Sequence, residues 1–415
     1  MMKILQINNF HNRRGGADSV YLNTIGLLRK KGHTVVEFAQ AAPMNEPSEY
    51  ESYFVEGFDP LKLPFYQKIL KTPRQLYSFE SRRKLDDLLR ATAPDVAHIH
   101  LYKGVLTASI LSALRKNHVP TVITLHDFSL LCPRNILFNA DNEICERCIG
   151  STSLNCLVHR CNRKNVFYSA VNVVEFNLNN HYFKPRQSFD KIITVSLFSY
   201  GKHITQKHLQ DRLVHLYNFF PGLTGTPPAY RRGNYYLFFG RLSPEKGLHT
   251  LIRAFAALGP DHRLIIAGTG PLEAELRETV QKNRYDHIEM VGYRGGEELN
   301  DLIRNASFIL VPSEWYENNP MTVVEGYSLG KPVIGSSVGG IPELIPDGQT
   351  GFQFAMADVA QLTEAVRKAS LLSDDAYIRM SENAWHFARE HFGEETHYDK
   401  LMEIYRSTLQ NQPSA

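Results

Sequence analysis

The chain has 415 residues, of which 43% are apolar and 21% charged, an ordinary balance for a globular protein that excludes disorder, collagen and coiled coil as overall descriptions. At roughly 100–200 residues per domain the length implies about two or three domains. The net charge of +3 is too small to argue for a nucleic-acid partner. The charge is unevenly spread: residues 1–200 hold 25 Lys and Arg against 17 Asp and Glu, and residues 201–415 hold 21 against 26. A balance of +8 followed by −5 is either scatter or a basic first domain that faces something anionic.

The opening MMKILQINNF carries a short apolar stretch that ends at Asn8 and Asn9. A secretory signal needs an apolar core of about 7–15 residues. No uncharged apolar run approaches the roughly 18–20 residues of a spanning helix. A cytoplasmic protein with reduced thiols is the expectation.

KILQI reads as a buried strand, followed by a polar loop with a glycine pair. A helical pattern runs from Asp18 to Lys31, with Gly32 as its stop, and HTVVEFA is the next strand. Strand, loop, helix and strand make the βαβ unit of a parallel sheet. Residues 43–75 are irregular and rich in aromatics, among them Tyr50, Tyr53, Phe54, Phe58, Phe65 and Tyr66. A helix is predicted from about Arg74 to Arg90. The strands VAHIH (96–100) and TVITLHD (121–127) flank a helical pattern around Leu106–Leu114. Residues 132–164 form an insertion that holds all five cysteines, and KIITVS (191–196) is a further strand.

The stretch 214–234, with three Pro and three Gly, is the predicted linker between a first domain, 1–213, and a second, 235–385. The alternation then restarts: YYLFFG as a strand, 245–258 as a helix, HRLIIAG as a strand and 271–283 as a helix. IEMVG, a helix over 296–305, SFILVPS, a helix near 321–329 and KPVIGSS follow. A helix from about Ala376 to Leu409 precedes the tail NQPSA, and residues 386–415 are assigned to a terminal crossover segment. The fold class is α/β, with two doubly wound, Rossmann-like domains. Such sheets bind ligands at the carboxyl ends of their strands, here in a cleft between the domains.

Four places carry chemistry. In FFGRLSPEKGL, Arg241 and Lys246 follow a strand end, five residues apart, and suit a diphosphate; the alternative is surface charge on a connecting loop. In IIAGTGPLEAEL, the position of a third fingerprint glycine holds Glu273, so the Gly268–Gly270 turn reads as structural rather than as a nicotinamide site. In SEWYENNPMTVVEGYSLGKPVI, Glu317 and Glu325 are eight residues apart. On a helix that separates their backbones by about 12 Å. A glycosidase pair sits about 5–9.5 Å apart, so these acids fit two grips on one extended ligand better than a nucleophile–acid pair. An ion-paired helix end is the competing reading. Asn319, Pro320, Met321 and Thr322 would start that helix with their amides toward an anion. Finally, His126 ends a strand beside Asp127 and is either a ligand contact or a satisfied structural histidine.

The ordered set GGA…LLRKKGHTV, HD after a strand, GRLSPEKGL, AGTGPLEAEL, VPSEWYENNPMTVVEGYSLGKPVIGSSVGGIPELI and DGQTGF resembles the family 4 (group 1) glycosyltransferases. These are retaining, nucleotide-sugar-dependent enzymes of the GT-B fold. The likeness is most specific over 236–352 and looser over 43–75 and 132–186. It implies that Arg241 and Lys246 hold the donor diphosphate and that Glu325 binds the ribose hydroxyls. Glu317, with amides from Asn319 to Thr322, would hold the donor sugar and phosphate. Gly15 and Gly16 would approach the phosphates, His126 the transferred sugar, and Gly292 and Tyr293 the nucleobase. His126 and Glu317 would be the catalytic residues, and the final helix would cross back onto the first domain.

The implied reaction is front-face hexosyl transfer from a nucleotide-diphosphate sugar to a glycan or lipid-linked acceptor in surface polysaccharide or glycoconjugate assembly. No metal is needed for that step, because the two cations supply positive charge. The basic first half would suit a peripheral contact with the inner face of the plasma membrane. Two positions depart from the usual pattern: Gly326-Tyr327-Ser328 replaces Ala-Met-Ala, and Asn318-Asn319-Pro320 replaces a Phe-Gly pair. The alternatives are an epimerase on the same fold and a catalytically inactive zinc-braced binding protein. The zinc expectation comes from Cys145-x2-Cys148 and Cys156-x4-Cys161, two short pairs with the spacing of a structural site.

Overall fold

The computed structural model describes residues 1–57, 73–183, 188–223 and 225–410. Phe58, Phe65 and Tyr66 of the aromatic segment and the tail 411–415 lie outside the described residues. The chain forms two units. One holds residues 1–141, 145–217 and 397–415, and the other holds 142–144 and 218–396.

The first unit is built on six parallel strands: β1 (Lys3–Ile7), β2 (Thr34–Phe38), β3 (Val96–Ile99), β4 (Thr121–Leu125), β5 (Lys191–Thr194) and β6 (Leu213–His215). Their order is β2-β1-β3-β4-β5-β6. Runs such as VAHI and TVITL are buried along their whole length, as a sheet covered on both faces requires. Helices α1 (Gly16–Lys30), α2 (Phe79–Thr92), α3 (Ser109–Lys116), α4 (Leu154–Val158), α5 (Val166–Asn177) and α6 (Leu197–Ile204) connect them. One core packs Leu5, Ile7 and Ile99 against Leu85 of α2 and Leu111 of α3. The single helix expected over 74–90 is interrupted: residues 73–76 are helical, the chain breaks at 77–78, and α2 starts afresh at Phe79, where the Ser78 side chain caps it by accepting from Ser81 N–H at 3.1 Å.

The second unit repeats the plan with β7 (Tyr236–Phe239), β8 (Leu264–Ala267), β9 (Ile288–Gly292), β10 (Phe308–Val311), β11 (Val333–Ser336) and β12 (Gly351–Phe354). The order β12-β11-β10-β7-β8-β9 places the topological switch point between β7 and β10. The loops that carry Lys246 and Glu317 leave the carboxyl ends of these two adjacent strands. Around the sheet lie α7 (Leu248–Leu258), α8 (Glu273–Lys282), α9 (Gly296–Asn305), α10 (Met321–Ser328), α11 (Ile341–Leu344), α12 (Val359–Ser370) and α13 (Asp374–Phe392).

Two helix expectations need correction. The helix read from residue 245 is a short 3-10 turn, Pro244–Lys246, and α7 begins at Leu248. Between them Gly247 adopts φ 68°, and a Cβ there would lie 1.8 Å from the Pro312 carbonyl oxygen, so only glycine fits. The long terminal helix is broken at Gly393 into α13 and α14 (Glu394–Gln410). From His397 onward α14 belongs to the first unit, where Leu401, Met402, Ile404 and Tyr405 pack with Ile4 of β1 and Ile25 of α1. Among the described residues no helix is long and apolar enough to cross a membrane.

Candidate functional site

In the second unit the site grows from two backbone loops laid against each other. Gly240 N–H donates to Ala267 O at 3.0 Å and Leu242 N–H to Thr269 O at 2.9 Å. A Cβ at Gly268 would meet Gly240 O at 1.9 Å, and one at Gly270 would meet Leu242 O at 2.4 Å. The Gly-Thr-Gly turn therefore seats the loop of Arg241 and Lys246 and serves packing. Arg241 is exposed at the end of β7. Gly292 ends β9 with φ 74°, its carbonyl accepting from Gly268 N–H at 2.7 Å, and Tyr293 beside it is 72% exposed.

Lys246 and Glu317 meet. The Lys246 ammonium donates to Glu317 Oε1 at 2.6 Å and lies 5.2 Å from the centre of the Trp315 ring. Ser313 Oγ donates to the same carboxylate oxygen at 2.7 Å, and Ser336 Oγ donates to Ser313 O at 2.6 Å. Burial pushes the Glu317 pKa up, but the charge and hydrogen bond of Lys246 outweigh it and hold the carboxyl below its ordinary value. The Gly339–Gly340 pair closes on the backbone of Glu317. Gly340 N–H donates to Glu317 O at 2.7 Å, and a Cβ at Gly339 would lie 2.5 Å from that oxygen. Ser313, Trp315, Gly339 and Gly340 were not singled out from sequence; the Val-Gly-Gly after a strand was the available signal.

Asn318 and Asn319 are buried, and neither carboxamide has a hydrogen-bond partner among the described residues. Pro320 precedes α10 in extended geometry and no side chain among the described residues caps the helix, which leaves the Met321 and Thr322 N–H groups at its positive end. Glu325, on α10, has no side-chain partner among the described residues, and burial raises its pKa to about 7. The two acids of one motif thus stand in opposite states: Glu317 ionised and paired, Glu325 half-protonated and unengaged. Tyr327 fills the space behind α10, fully buried, with its hydroxyl donating to Thr350 Oγ1 at 2.6 Å.

In the first unit Gly15 precedes α1 in extended conformation without a side-chain cap, and Gly16 is the first helical residue. A Cβ on Gly15 would meet nothing within 4 Å among the described residues. His126 follows β4. Its Nε2 lies 2.9 Å from His100 Nδ1, and the rings stack at 5.2 Å with 13° between planes. Burial lowers the His126 pKa to about 4, so the ring is neutral at physiological pH. Asp127 is held above the ordinary carboxylate range by burial, against an accepted bond from Ser129 N–H at 2.9 Å.

All five cysteines are free thiols. Cys156 and Cys161 are buried against Val173, with Cys148 beside them. A hydrogen bond from the Cys156 thiol, helped by Arg134 and Arg147, lowers the Cys161 pKa below its ordinary value. Among the described residues no group of three or more His, Cys, Asp or Glu is placed to hold a metal ion. Cys148, Cys156 and Cys161 nonetheless lie together, with the turn after α4 setting the last two on each other, and zinc at Cys145, Cys148, Cys156 and Cys161 stays an expectation from their spacing.

Residues 227–387 match the family model described as glycosyl transferases group 1, and residues 14–220 match that of glycosyltransferase family 4. A glycosyltransferase of Methanocaldococcus jannaschii is 32% identical over 203 residues, which is 48% of this chain and 55% of that protein. The alpha-D-kanosaminyltransferase of Streptomyces kanamyceticus is 29% identical over 176 residues, 41% and 45% of the two chains. The chain spans about half the length of these curated relatives. Among solved structures, Anabaena HepE in complex with UDP-glucose is 20% identical with a TM-score of 0.68, covering 98% of this chain and 100% of that one. Sucrose-phosphate synthase from Thermosynechococcus elongatus is 16% identical with a TM-score of 0.71, covering 99% and 100%. At these identities the likeness shows the fold.

Proposed function

The chain belongs to the group 1 glycosyl transferases (glycosyltransferase family 4), and from this premise we propose that it moves a sugar from a nucleoside-diphosphate donor to a glycan or lipid-linked hydroxyl, with retention at the anomeric carbon. The observation that carries the proposal is the pairing at the switch point of the second sheet. There Lys246 is fixed by the buried Glu317, next to the uncapped start of α10 and the unengaged carboxyl of Glu325. A donor diphosphate fits against Arg241, Lys246 and the α10 amides, and a ribose diol fits Glu325. As the anomeric carbon–oxygen bond breaks, charge gathers on the departing diphosphate, and Arg241, Lys246 and the α10 amides stabilise it. The acceptor oxygen attacks from the same face, and a donor phosphate oxygen takes its proton. His126 contacts the transferred sugar.

UDP-glucose is the first donor to try, since Anabaena HepE, a protein of the same fold, is in complex with it. The test is a thermal-shift panel of UDP-, GDP- and ADP-sugars. A ligand at 100 times its Kd adds about 2.7 kcal/mol of apparent stability. The shift should vanish in Lys246→Ala, measured against that variant's own ligand-free Tm; a full response there would retire the diphosphate assignment. A peripheral membrane contact belongs to the same proposal, supported by the +8 balance of residues 1–200, and liposomes of anionic lipid that fail to float the protein at low salt would remove it.

A further inference from the structure

His126 is one end of a buried hydrogen-bonded chain that runs through the first unit. Gln6 of β1 donates through Nε2 to the Tyr405 hydroxyl of α14 at 3.3 Å. Its Oε1 lies 3.2 Å from His100 Nε2. Tyr405 meets His98 Nδ1 at 2.7 Å, and His98 Nε2 meets Thr124 Oγ1 at 2.8 Å. Gln6, His98, His100 and Tyr405 are all at most 2% exposed. Strand geometry explains the convergence. His98 and His100 are two apart and share a face, Gln6 pairs in register with His98, and Tyr405 covers that face.

With the Gln6 carboxamide placed so that Nε2 faces Tyr405 and Oε1 faces His100, the donors and acceptors have one order along this chain. A carbonyl oxygen cannot donate, so His100 Nε2 carries a proton for Gln6 Oε1. Burial holds the His100 pKa well below its ordinary value and that of His126 at about 4, so both rings are neutral and each bears one N–H. His100 Nδ1 is then a lone pair, and His126 Nε2, 2.9 Å away, must supply the hydrogen. His126 Nδ1 is left without a proton, and it has no partner among the described residues. The ring is only partly buried.

We infer that Tyr405, Gln6 and His100 act as positioning residues that lock His126 in its Nε2–H tautomer, so that its Nδ1 serves as a hydrogen-bond acceptor for a hydroxyl of the bound sugar. The locking follows from the hydrogen-bond chain alone; the ligand half rests on the proposed role of His126. A head-to-tail chain of this kind strengthens each of its bonds, and the reversed tautomer requires the buried Gln6 carboxamide to turn over and every bond in the chain to reverse with it. The terminal helix thereby acts on the site through one hydroxyl, although Tyr405 lies 399 residues from Gln6 in sequence.

Nitrogen-15 NMR of histidine-labelled protein decides it, with the His126 signals assigned by their loss in His126→Asn. The wild type should show a pyridine-like Nδ1 and a pyrrole-like Nε2 at pH 7.5. Gln6→Leu and Tyr405→Phe should each produce a tautomer mixture, and Gln6→Glu, which keeps an acceptor for His100, should restore the single form. A protonated Nδ1 in the wild type, or an unchanged single tautomer in both Gln6→Leu and Tyr405→Phe, overturns the inference. Addition of UDP-glucose, with UDP as the control, tests the ligand half. An Nδ1 shift that moves with the sugar nucleotide and not with UDP supports it. If the tautomer is as inferred and UDP-glucose binds without moving Nδ1, the sugar contact falls while the relay stands.

Discussion

Replacing Glu325 by Gln should stabilise the ligand-free protein while weakening its hold on a nucleotide, and the gain should depend on pH. Burial raises the Glu325 pKa from 4.5 to about 7. In the unfolded chain the group titrates near its ordinary value, so between about pH 4.5 and 7 the folded state binds more protons. Stability is therefore lost as pH rises through that window. Below it both states are protonated and there is no penalty; above it both are ionised and the penalty is full. A rise of about 2.5 units at about 1.4 kcal/mol per unit gives a penalty on the order of 3 kcal/mol. Glu325→Gln keeps the shape and removes the ionisation, so it should gain on the order of 3 kcal/mol at pH 8 and less than about 1 kcal/mol at pH 5. Urea unfolding at the two pH values measures this. Both tryptophans, Trp315 and Trp385, lie in the second unit, so their fluorescence reports its unfolding alone. The same variant should bind its donor at least about 10-fold more weakly, because a neutral amide accepts from ribose hydroxyls less strongly than a carboxylate. An equal gain at pH 5 and pH 8, or a loss at both, would refute the burial argument.

Lys246→Ala strands a buried carboxylate and should cost about 3–5 kcal/mol, with Glu317→Gln in the same background restoring most of the stability and none of the nucleotide binding; chemical denaturation of the single and double variants checks both parts. Hydroxyls that donate to Glu325 favour its charged form, so donor binding should release a proton and weaken as pH falls below about 7; calorimetry in two buffers of different ionisation enthalpy reads the proton, and a heat independent of buffer counts against the contact. Gly247→Ala places a Cβ 1.8 Å from Pro312 O at a φ of 68° and should destabilise by at least about 2 kcal/mol while displacing the neighbouring Lys246; denaturation and the nucleotide thermal shift should fall together.

Most of the two parallel sheets was legible because strands such as β4, β8 and β10 are short apolar runs buried along their length and separated by helical periods, whereas the edge strands β6 and β12, only partly buried, were not read. The boundaries were less so, since contacts distant in sequence decide them. Gly247 looks like an early helix residue until the Pro312 carbonyl is set against it. Leu213–His215 sits at the start of a Pro- and Gly-rich run, and only its pairing with β5 makes it a strand. The cysteine spacing carried the zinc expectation, but the contact that the turn after α4 makes between Cys156 and Cys161 is invisible to a count of intervening residues. The relay behind His126 left one trace, the alternation of His98 and His100; nothing local announces that Gln6 and Tyr405 complete it.

The identities of Arg241, Lys246, Glu317 and Glu325 could be read from motif, but their charge states could not, and those states resolve an apparent conflict. The second half of the chain carries a balance of −5, yet it is the half that should hold an anionic diphosphate. Two ionised glutamates eight residues apart would oppose that ligand. The structure cancels both. Lys246 neutralises Glu317 at 2.6 Å, and burial keeps Glu325 close to half-protonated near pH 7. What remains uncancelled at the loop is the positive end of α10 and the exposed Arg241. At physiological salt, screening over about 8 Å removes most of the influence of the distant surface acids. The sign of the local field is thus set by a few groups at the ends of β7 and β10, and the overall charge of the domain has little bearing on what that site attracts.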